Sequence, residues 1–244
     1  MTVFANTRMY SVNPATKAAW QQVLRWCLAR AGLDWPVIDN DPPASISALW
    51  ARNGMGVMQM CGLPYAVRDP VPRLNVAPVP SPARYGGRAV YFRDLAVRAD
   101  APFHSIADTF GKRIGWTLTD SQSGNFALRC YLLQLHAMQC GQRGAAGVGS
   151  VGVANGTSTA VPGQPLFGEV VPRLGNPRGV IQALLDGRID VGPLDSCSHD
   201  LIRHTEPDVA KNIRVLTSTT PMARADYALT RERHDAVLAA PEVW

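Results

Sequence analysis

Short apolar runs alternate along this chain with apolar stripes at helical spacing. Residues 2–9 read as a first strand. Asn13 and Pro14 follow, an N-cap and a first helical residue. Trp20, Val23, Leu24, Cys27, Leu28 and Ala31 then form one apolar face, predicting a helix that stops near Gly32. Residues 36–38 suit a second short strand and 39–43 a turn-rich break. A short helix with Ile46, Leu49 and Trp50 inward comes next. Residues 56–60 are apolar and brief, as a strand buried in a parallel sheet would be, and they run into a loop at 61–65. The proline-rich stretch 69–82 has no helical period and predicts an edge strand at 74–77. Residues 89–98 form a longer strand whose two-residue period puts Tyr91 and Arg93 on one face. A short helical piece at 106–110 closes this half.

In the second half, residues 113–117 predict a strand. Leu128, Tyr131, Leu132 and Leu135 make the stripe of an amphipathic helix. After Cys140 the chain turns to Gly, Ala, Ser and Thr over residues 141–163. This stretch contains a literal GxGxxG at 147–152, but a helix precedes it and Asn155-Gly156-Thr157 follows, so the dinucleotide context is missing and a surface loop is expected. Strand character returns at 167–171. Asn176-Pro177 repeats the helix-start signal ahead of Val180, Ile181, Leu184 and Leu185, with Gly187 as terminator. Residues 189–195 predict a strand with a carboxylate at each end. Further strands are expected at 213–218 and 227–230, and a closing helix at 234–240. Strands and helices in this order indicate an α/β fold with mainly parallel sheets and helices on both faces.

The 244 residues suffice for one large domain or two small ones, and the net charge of +5 is dispersed along the chain. A spread excess of this size suits a small anionic ligand and lacks the basic stripe of a nucleic-acid binder. No apolar run reaches the ~18 residues of a membrane span. Cys27, Cys61, Cys130, Cys140 and Cys197 are odd in number and form no CxxC pair, so free thiols and no zinc site are expected. Cys27 falls on the apolar helix face, as a small hydrophobe would. Residues 1–8 lack the pattern of a secretory signal. The expectation is a cytoplasmic protein as written, or a periplasmic one whose leader has been removed. Neither cofactor nor metal is expected.

The chemistry gathers between the strand at 113–117 and the helix after it. Thr119-Asp120-Ser121-Gln122-Ser123-Gly124-Asn125 sets hydroxyls, an amide and a glycine where a helix begins. A helix N-terminus offers unpaired N–H groups and about half a positive charge, an anion-binding design. Plain capping explains the same residues. Polar caps recur near Asn13 and Asn176, and in open α/β sheets ligands bind beyond the carboxyl ends of the strands, where such turns collect. Arg93 and Arg178 can meet a ligand's charge, or pair with Asp94 or Asp190. Asp190 and Asp195 read as caps or surface residues rather than an acid–base pair. Cys61 reads as structural. Cys197, His199 and His204 do not share one helical face, which argues against a metal site.

These residues carry a resemblance. The Ser-x-Ser-Gly run at 121–124, with the stretch 59–64, Tyr91 opening a strand that ends at Asp100, and Gly187-Arg188-Ile189-Asp190, resembles the substrate-binding proteins of phosphate, phosphite and phosphonate ABC transporters. The ordered set spans about residues 1 to 220. The resemblance implies a type II periplasmic-binding-protein fold: two α/β lobes, two crossover strands and a ligand between the lobes. Residues 1–92 and 197–244 would form one lobe and 93–196 the other. Ser121 and Ser123, with the amides of Gln122, Gly124 and Asn125, would hold the anion. Tyr91 would donate to it, Asp190 would accept from a protonated oxygen or an amine, and Tyr10 and Tyr65 would close over it. Pro177 stands where the family has a histidine, leaving Arg178 as a neighbouring cation and Asn176 at the helix start. The expected function is a small-anion solute-binding protein, not an enzyme, serving an ABC-type system with a permease as partner. A cytoplasmic enzyme on the same fold acting on a phosphorylated or carboxylated metabolite, or a cytoplasmic ligand sensor, is the alternative.

Overall fold

The computed structural model describes residues 2–41, 45–67, 85–88, 90–119, 121–139 and 165–219. Its first part is built on a small parallel sheet. Strand β1 (Phe4–Asn6) pairs with β2 (Met55–Met58), and Ala5 also bridges Val37. Helix α1 (Pro14–Arg30) starts at the Asn13 N-cap. Asn13 Oδ1 accepts from the Thr16 amide at 2.9 Å, and the Asn13 amide donates back to Thr16 Oγ1 at 3.1 Å. Two orphan donors are thereby satisfied at the helix start. The helix buries a narrower stripe than the apolar spacing predicts. Leu24 and Leu28 pack on Ala5, Leu33, Trp35, Val37 and Val57, while Cys27 and Val23 are exposed and Trp26 is 63% exposed. The sheet beneath is only a few residues wide, so it covers little more than one residue per turn. Trp26 instead stacks with the Arg30 guanidinium, 5.6 Å from its ring.

Helix α2 (Ile46–Trp50) buries Leu49 and Trp50 behind the Ser45 cap. Residues 61–65, read from sequence as a loop, enter helix α3 (Gly62–Val67) instead.

Strand β3 (Arg93–Arg98) is antiparallel both to β6 (Gly192–Asp195) and to β7 (Ile213–Ser218). Strand β4 (Arg113–Gly115) runs parallel to β5 (Glu169–Val171), and a parallel bridge from Ile114 to Val191 links β4 to the residue just before β6. The order across this surface is β5, β4, β6, β3, β7. Helices cover both faces. Leu128, Tyr131, Leu132 and Leu135 of α4 (Ala127–Gln139) pack on Leu95, Val97 and Ile114. Val180, Ile181 and Leu184 of α5 (Pro177–Leu185), with Ile202 of α6 (Ser196–Thr205), pack on Ala96 and Leu194 of the opposite face. Burial of each such aliphatic side chain is worth about 1.5–3 kcal/mol, so packing rather than propensity holds these helices in place. The short helix α7 (Pro207–Ala210) leads into β7. No described helix is long and apolar enough to cross a membrane. The edge strand at 74–77, the GxGxxG loop and the elements expected after 220 lie outside the described residues.

Candidate functional site

The serine turn sits where the strand-to-helix pattern puts it, at the carboxyl end of β4. Ser121 is the N-cap and its Oγ accepts from the Gly124 amide at 3.0 Å. The amides of Asn125 and Phe126 both reach the Ser121 carbonyl, at 3.2 and 3.1 Å. One carbonyl serving residues four and five positions on opens the first turn into a π-helical one, residues Gln122–Phe126, a widening found often at functional sites. The amides of Gly124 and Asn125, expected to hold the anion, are thus already engaged by Ser121. Gly124 is required by space: a Cβ there would lie 1.8 Å from Thr117 Oγ1. Asn125 is buried with its Nδ2 on the Thr119 carbonyl at 2.8 Å.

Arg93 opens β3 and is 1% exposed. Its Nε donates to the Ser123 carbonyl at 3.0 Å. Directly across the antiparallel ladder stands Asp195, the last residue of β6 and the N-cap of α6. Paired residues in such a ladder project to the same face, so this guanidinium and this carboxylate flank the serine turn together. Asp195 Oδ1 accepts from the Ser198 amide at 2.8 Å. Burial raises the Asp195 carboxyl above its usual range, against the opposing pull of the Ser198 bond, Arg93 and His199.

Two phenols complete the group. Tyr91 lies two residues before Arg93 and hydrogen-bonds Ser123, and Tyr10 hydrogen-bonds Tyr91. Burial foremost, then the Asp195 charge, pushes both phenols up, so each remains a neutral donor. Tyr10 has φ +64°, the left-handed region, an uncommon conformation for a bulky side chain and one that clusters at functional sites. Cys61 and Cys197 face Tyr10 electrostatically, and Cys130 faces Arg93. Burial pushes Cys197 up to about 12 and Cys130 up to about 11. Gln122 reaches toward the start of α3: a Cβ on Gly62 would stand 2.8 Å from its Oε1. The first sheet's helix and the serine turn therefore meet at this place.

Other expected site residues go elsewhere. Asp190 lies at the amino end of β4, opposite the serine turn. It takes Arg113 Nε and Nη2, each at 2.9 Å, and the Arg113 amide at 2.9 Å. Its burial would raise the carboxyl, but the Arg113 bonds outweigh that and hold it low. Both Asp190 oxygens are thus engaged by Arg113, and the carboxylate across the ladder from Arg93 is Asp195. Arg178 pairs with Glu206 rather than with Asp94 or Asp190. Glu206 also accepts from Asn13 Nδ2 at 2.8 Å, which places Arg178 at the far end of α6 from Asp195. Asn176 caps α5 by accepting from the Gly179 amide at 2.8 Å. Its helix start is adjacent to the turn, since Gly175 donates to the Thr117 carbonyl at 3.2 Å. Tyr65 is half-buried in α3, its amide on the Cys61 carbonyl. Cys197 and His199 are buried in α6 and His204 is exposed at its end; among the described residues no three His, Cys, Asp or Glu are grouped to hold a metal ion.

Residues 56–240 match the family of phosphonate ABC transporter periplasmic substrate-binding proteins. The chain belongs to that family. Members are solute-binding proteins of the ABC transporter class, and the family is periplasmic. The expected alternatives, an enzyme or a cytoplasmic sensor on this fold, gain no support. None of the curated proteins compared matches the sequence. Among solved structures, a binding-protein component of a phosphonate ABC transporter from Pseudomonas aeruginosa is 12% identical, with a TM-score of 0.62 over 96% of this chain and 71% of that one. PhnD1 from Prochlorococcus marinus, in complex with methylphosphonate, is 13% identical, with a TM-score of 0.58 over 91% of this chain and 74% of that one. A Xanthomonas citri protein bound to chloride ion is 17% identical, with a TM-score of 0.50 over 99% and 86%. These likenesses establish the type II periplasmic-binding-protein fold.

Asp195, read from sequence as a cap or a surface residue, is the N-cap of α6, and it also stands across the ladder from Arg93. A signal for this place was present: Asp195-Ser196 follows an apolar run, where a strand ends and a helix is capped. Ligands gather at carboxyl ends of strands, which favours Asp195 over Asp190. The three thiols around the site had no such signal, since their proximity arises from contacts between elements distant in sequence.

Proposed function

We propose that the chain binds a small phosphonate-like oxyanion between its two sheets and presents it to an ABC permease, working in the periplasm. The observation that carries this reading is the buried Arg93–Asp195 cross-strand pair set beside Ser123, Tyr91 and Tyr10. A guanidinium is charged at any physiological pH, and three neutral hydroxyls supply directional donors. Asp195, which accepts from both the amide and the side chain of Ser198, would also accept from a protonated ligand oxygen or an amine. Residues 1–92 and 197–244 are proposed as one lobe and 93–196 as the other, with β3 at the boundary. In this reading Tyr10 and the start of α3 are carried by the first lobe. The serine turn is carried by the second, so a ligand touching both favours the closed arrangement by its differential contacts.

Thermal unfolding with phosphate, phosphite, methylphosphonate and 2-aminoethylphosphonate tests this, with methanesulfonate for comparison. Ligand at about 100 times its Kd stabilises by about 2.7 kcal/mol. For a chain of this size that is a rise in Tm of about 5–10 °C. An unchanged Tm with every phosphorus oxyanion at millimolar excess would sink the reading.

A further inference from the structure

We propose that Asp94 and His199 are a positioning pair that sets the geometry between Arg93 and Asp195 from behind the sheet. The inference rests on the reading that those two residues meet the ligand. The side chains of β3 alternate. Leu95 and Val97 face α4, on the side where Arg93 reaches the serine turn, whereas Ala96 joins the α5 and α6 packing. Asp94 shares the Ala96 side and is buried. Its Oδ2 lies 2.6 Å from His199 Nδ1, and its Oδ1 accepts from Ser218 Oγ at 2.6 Å. His199 is 1% exposed.

The placement gives the pair its role. Asp94 follows Arg93 in the chain, and His199 lies four residues after Asp195, one turn down the same helical face. The Asp94–His199 hydrogen bond therefore ties the strand that carries the guanidinium to the first full turn of the helix capped by the carboxylate, one turn beyond the bonds that join Phe92 to Ser196 at the helix start. Strand pairing and the Phe92–Ser196 bonds fix the point where the helix begins, whereas the direction in which it leaves that point needs a second contact further along, and that direction aims the carboxylate. Burial alone would raise Asp94, yet the bonds from His199 and Ser218 outweigh it and keep the carboxyl low, so it is ionised and accepts at both oxygens. Replacing both partners of a buried hydrogen bond by apolar groups of the same shape is often nearly neutral in stability. Its distinct contribution is direction, and here the direction is shared with the site.

Two variants separate positioning from packing. In His199→Asn the amide nitrogen takes the place of Nδ1. In His199→Gln it takes the place of Nε2, away from Asp94. Titration with methylphosphonate is expected to give H199N a Kd within about 3-fold of wild type and H199Q one about 10-fold weaker, the usual scale for losing one buried hydrogen bond. Amide hydrogen exchange at residues 196–199 of the ligand-free protein is expected to accelerate in H199Q and not in H199N. Equal affinities and equal exchange in the two variants would overturn the proposal. If wild type binds no methylphosphonate, the reading of the site fails for that ligand, and the exchange comparison still decides whether the pair holds the helix start. Should H199Q not fold, Ser218→Ala replaces it: faster exchange at 196–199 supports the pair, and wild-type exchange overturns it.

Discussion

Replacing Gly124 by alanine probes the serine turn most directly, because the structure specifies what the added methyl would meet. It would lie 1.8 Å from Thr117 Oγ1 and 2.9 Å from Thr117 Cβ and Cγ2. Ordinary heavy-atom contact is about 3.5–4.0 Å, so one side must retreat by about 2 Å. Thr117 is poorly placed to do so. It is buried, its amide donates to the Gly124 carbonyl at 3.3 Å, and its own carbonyl accepts from Gly175 at 3.2 Å. Overpacking of this kind costs about 1–3 kcal/mol. The helix propensity gained over glycine offsets about 1 kcal/mol of that. A net loss of up to about 2 kcal/mol corresponds to a fall in Tm of up to about 8 °C. Urea unfolding of Gly124→Ala, Thr117→Ala and the double variant checks the mechanism as well as the sign. Thr117→Ala removes the atom at 1.8 Å and one of the two at 2.9 Å, so the double variant is expected to recover part of the loss. Calorimetric titration with methylphosphonate is expected to weaken in G124A and to recover in step with stability. A G124A protein as stable as wild type, with no coupling to Thr117, would refute the close-packing argument.

Asp195→Asn keeps the helix cap, since Asn and Asp cap about equally well, and removes the titrating group. The folded Asp195 has a raised pKa, so the stability linked to its proton is present below the unfolded value of about 4 and is lost as pH rises through the folded value. Urea unfolding from pH 4 upward should show wild type losing stability relative to D195N, and a difference flat with pH would contradict the burial argument. Asp190→Asn is expected to leave the Kd for methylphosphonate unchanged and to cost about 1 kcal/mol near pH 7, the scale of a partly exposed ion pair. Because Asp190 is held low, that cost should vanish as the solution is acidified below the usual carboxylate range. Asn176→Ala removes the α5 cap and should lower stability by about 1 kcal/mol, read by thermal unfolding.

The fold was legible wherever a local rule and the packing agreed. Asn13-Pro14 and Asn176-Pro177 start helices because cap geometry and proline's restricted φ are set within a few residues. The stripe Leu128, Tyr131, Leu132 and Leu135 is buried as its spacing requires. The same reasoning overreached at α1. Spacing shows which residues share a face and says nothing about how wide a surface will be offered to them. Val23 and Cys27 share the face of Leu24 and Leu28 in projection, and only the latter two reach the narrow sheet. At 61–65 the glycine and proline suggested a loop, yet both fall in the first turn of α3, where neither interrupts an intrahelical bond.

The site divides along a similar line. Tyr91, Arg93 and Ser123 could be read locally, from strand alternation and from the polar run ahead of α4. Asp190 and Asp195 are carboxylates at the two ends of one short apolar run, and the local signal between them is only that Asp195 stands at the carboxyl end. The register between strands nearly a hundred residues apart separates them. Asp195 stands opposite Arg93, whereas Asp190 donates its amide to the Arg113 carbonyl at the other end of the neighbouring strand. Five residues of extended chain span about 17 Å. That distance puts one carboxylate beside the hydroxyls and leaves the other locking β4 from below. An aspartate in this fold is therefore assigned by which end of its strand it occupies and which cation lies across the ladder. Those two facts also make Arg93, rather than Arg178, the cation at the turn.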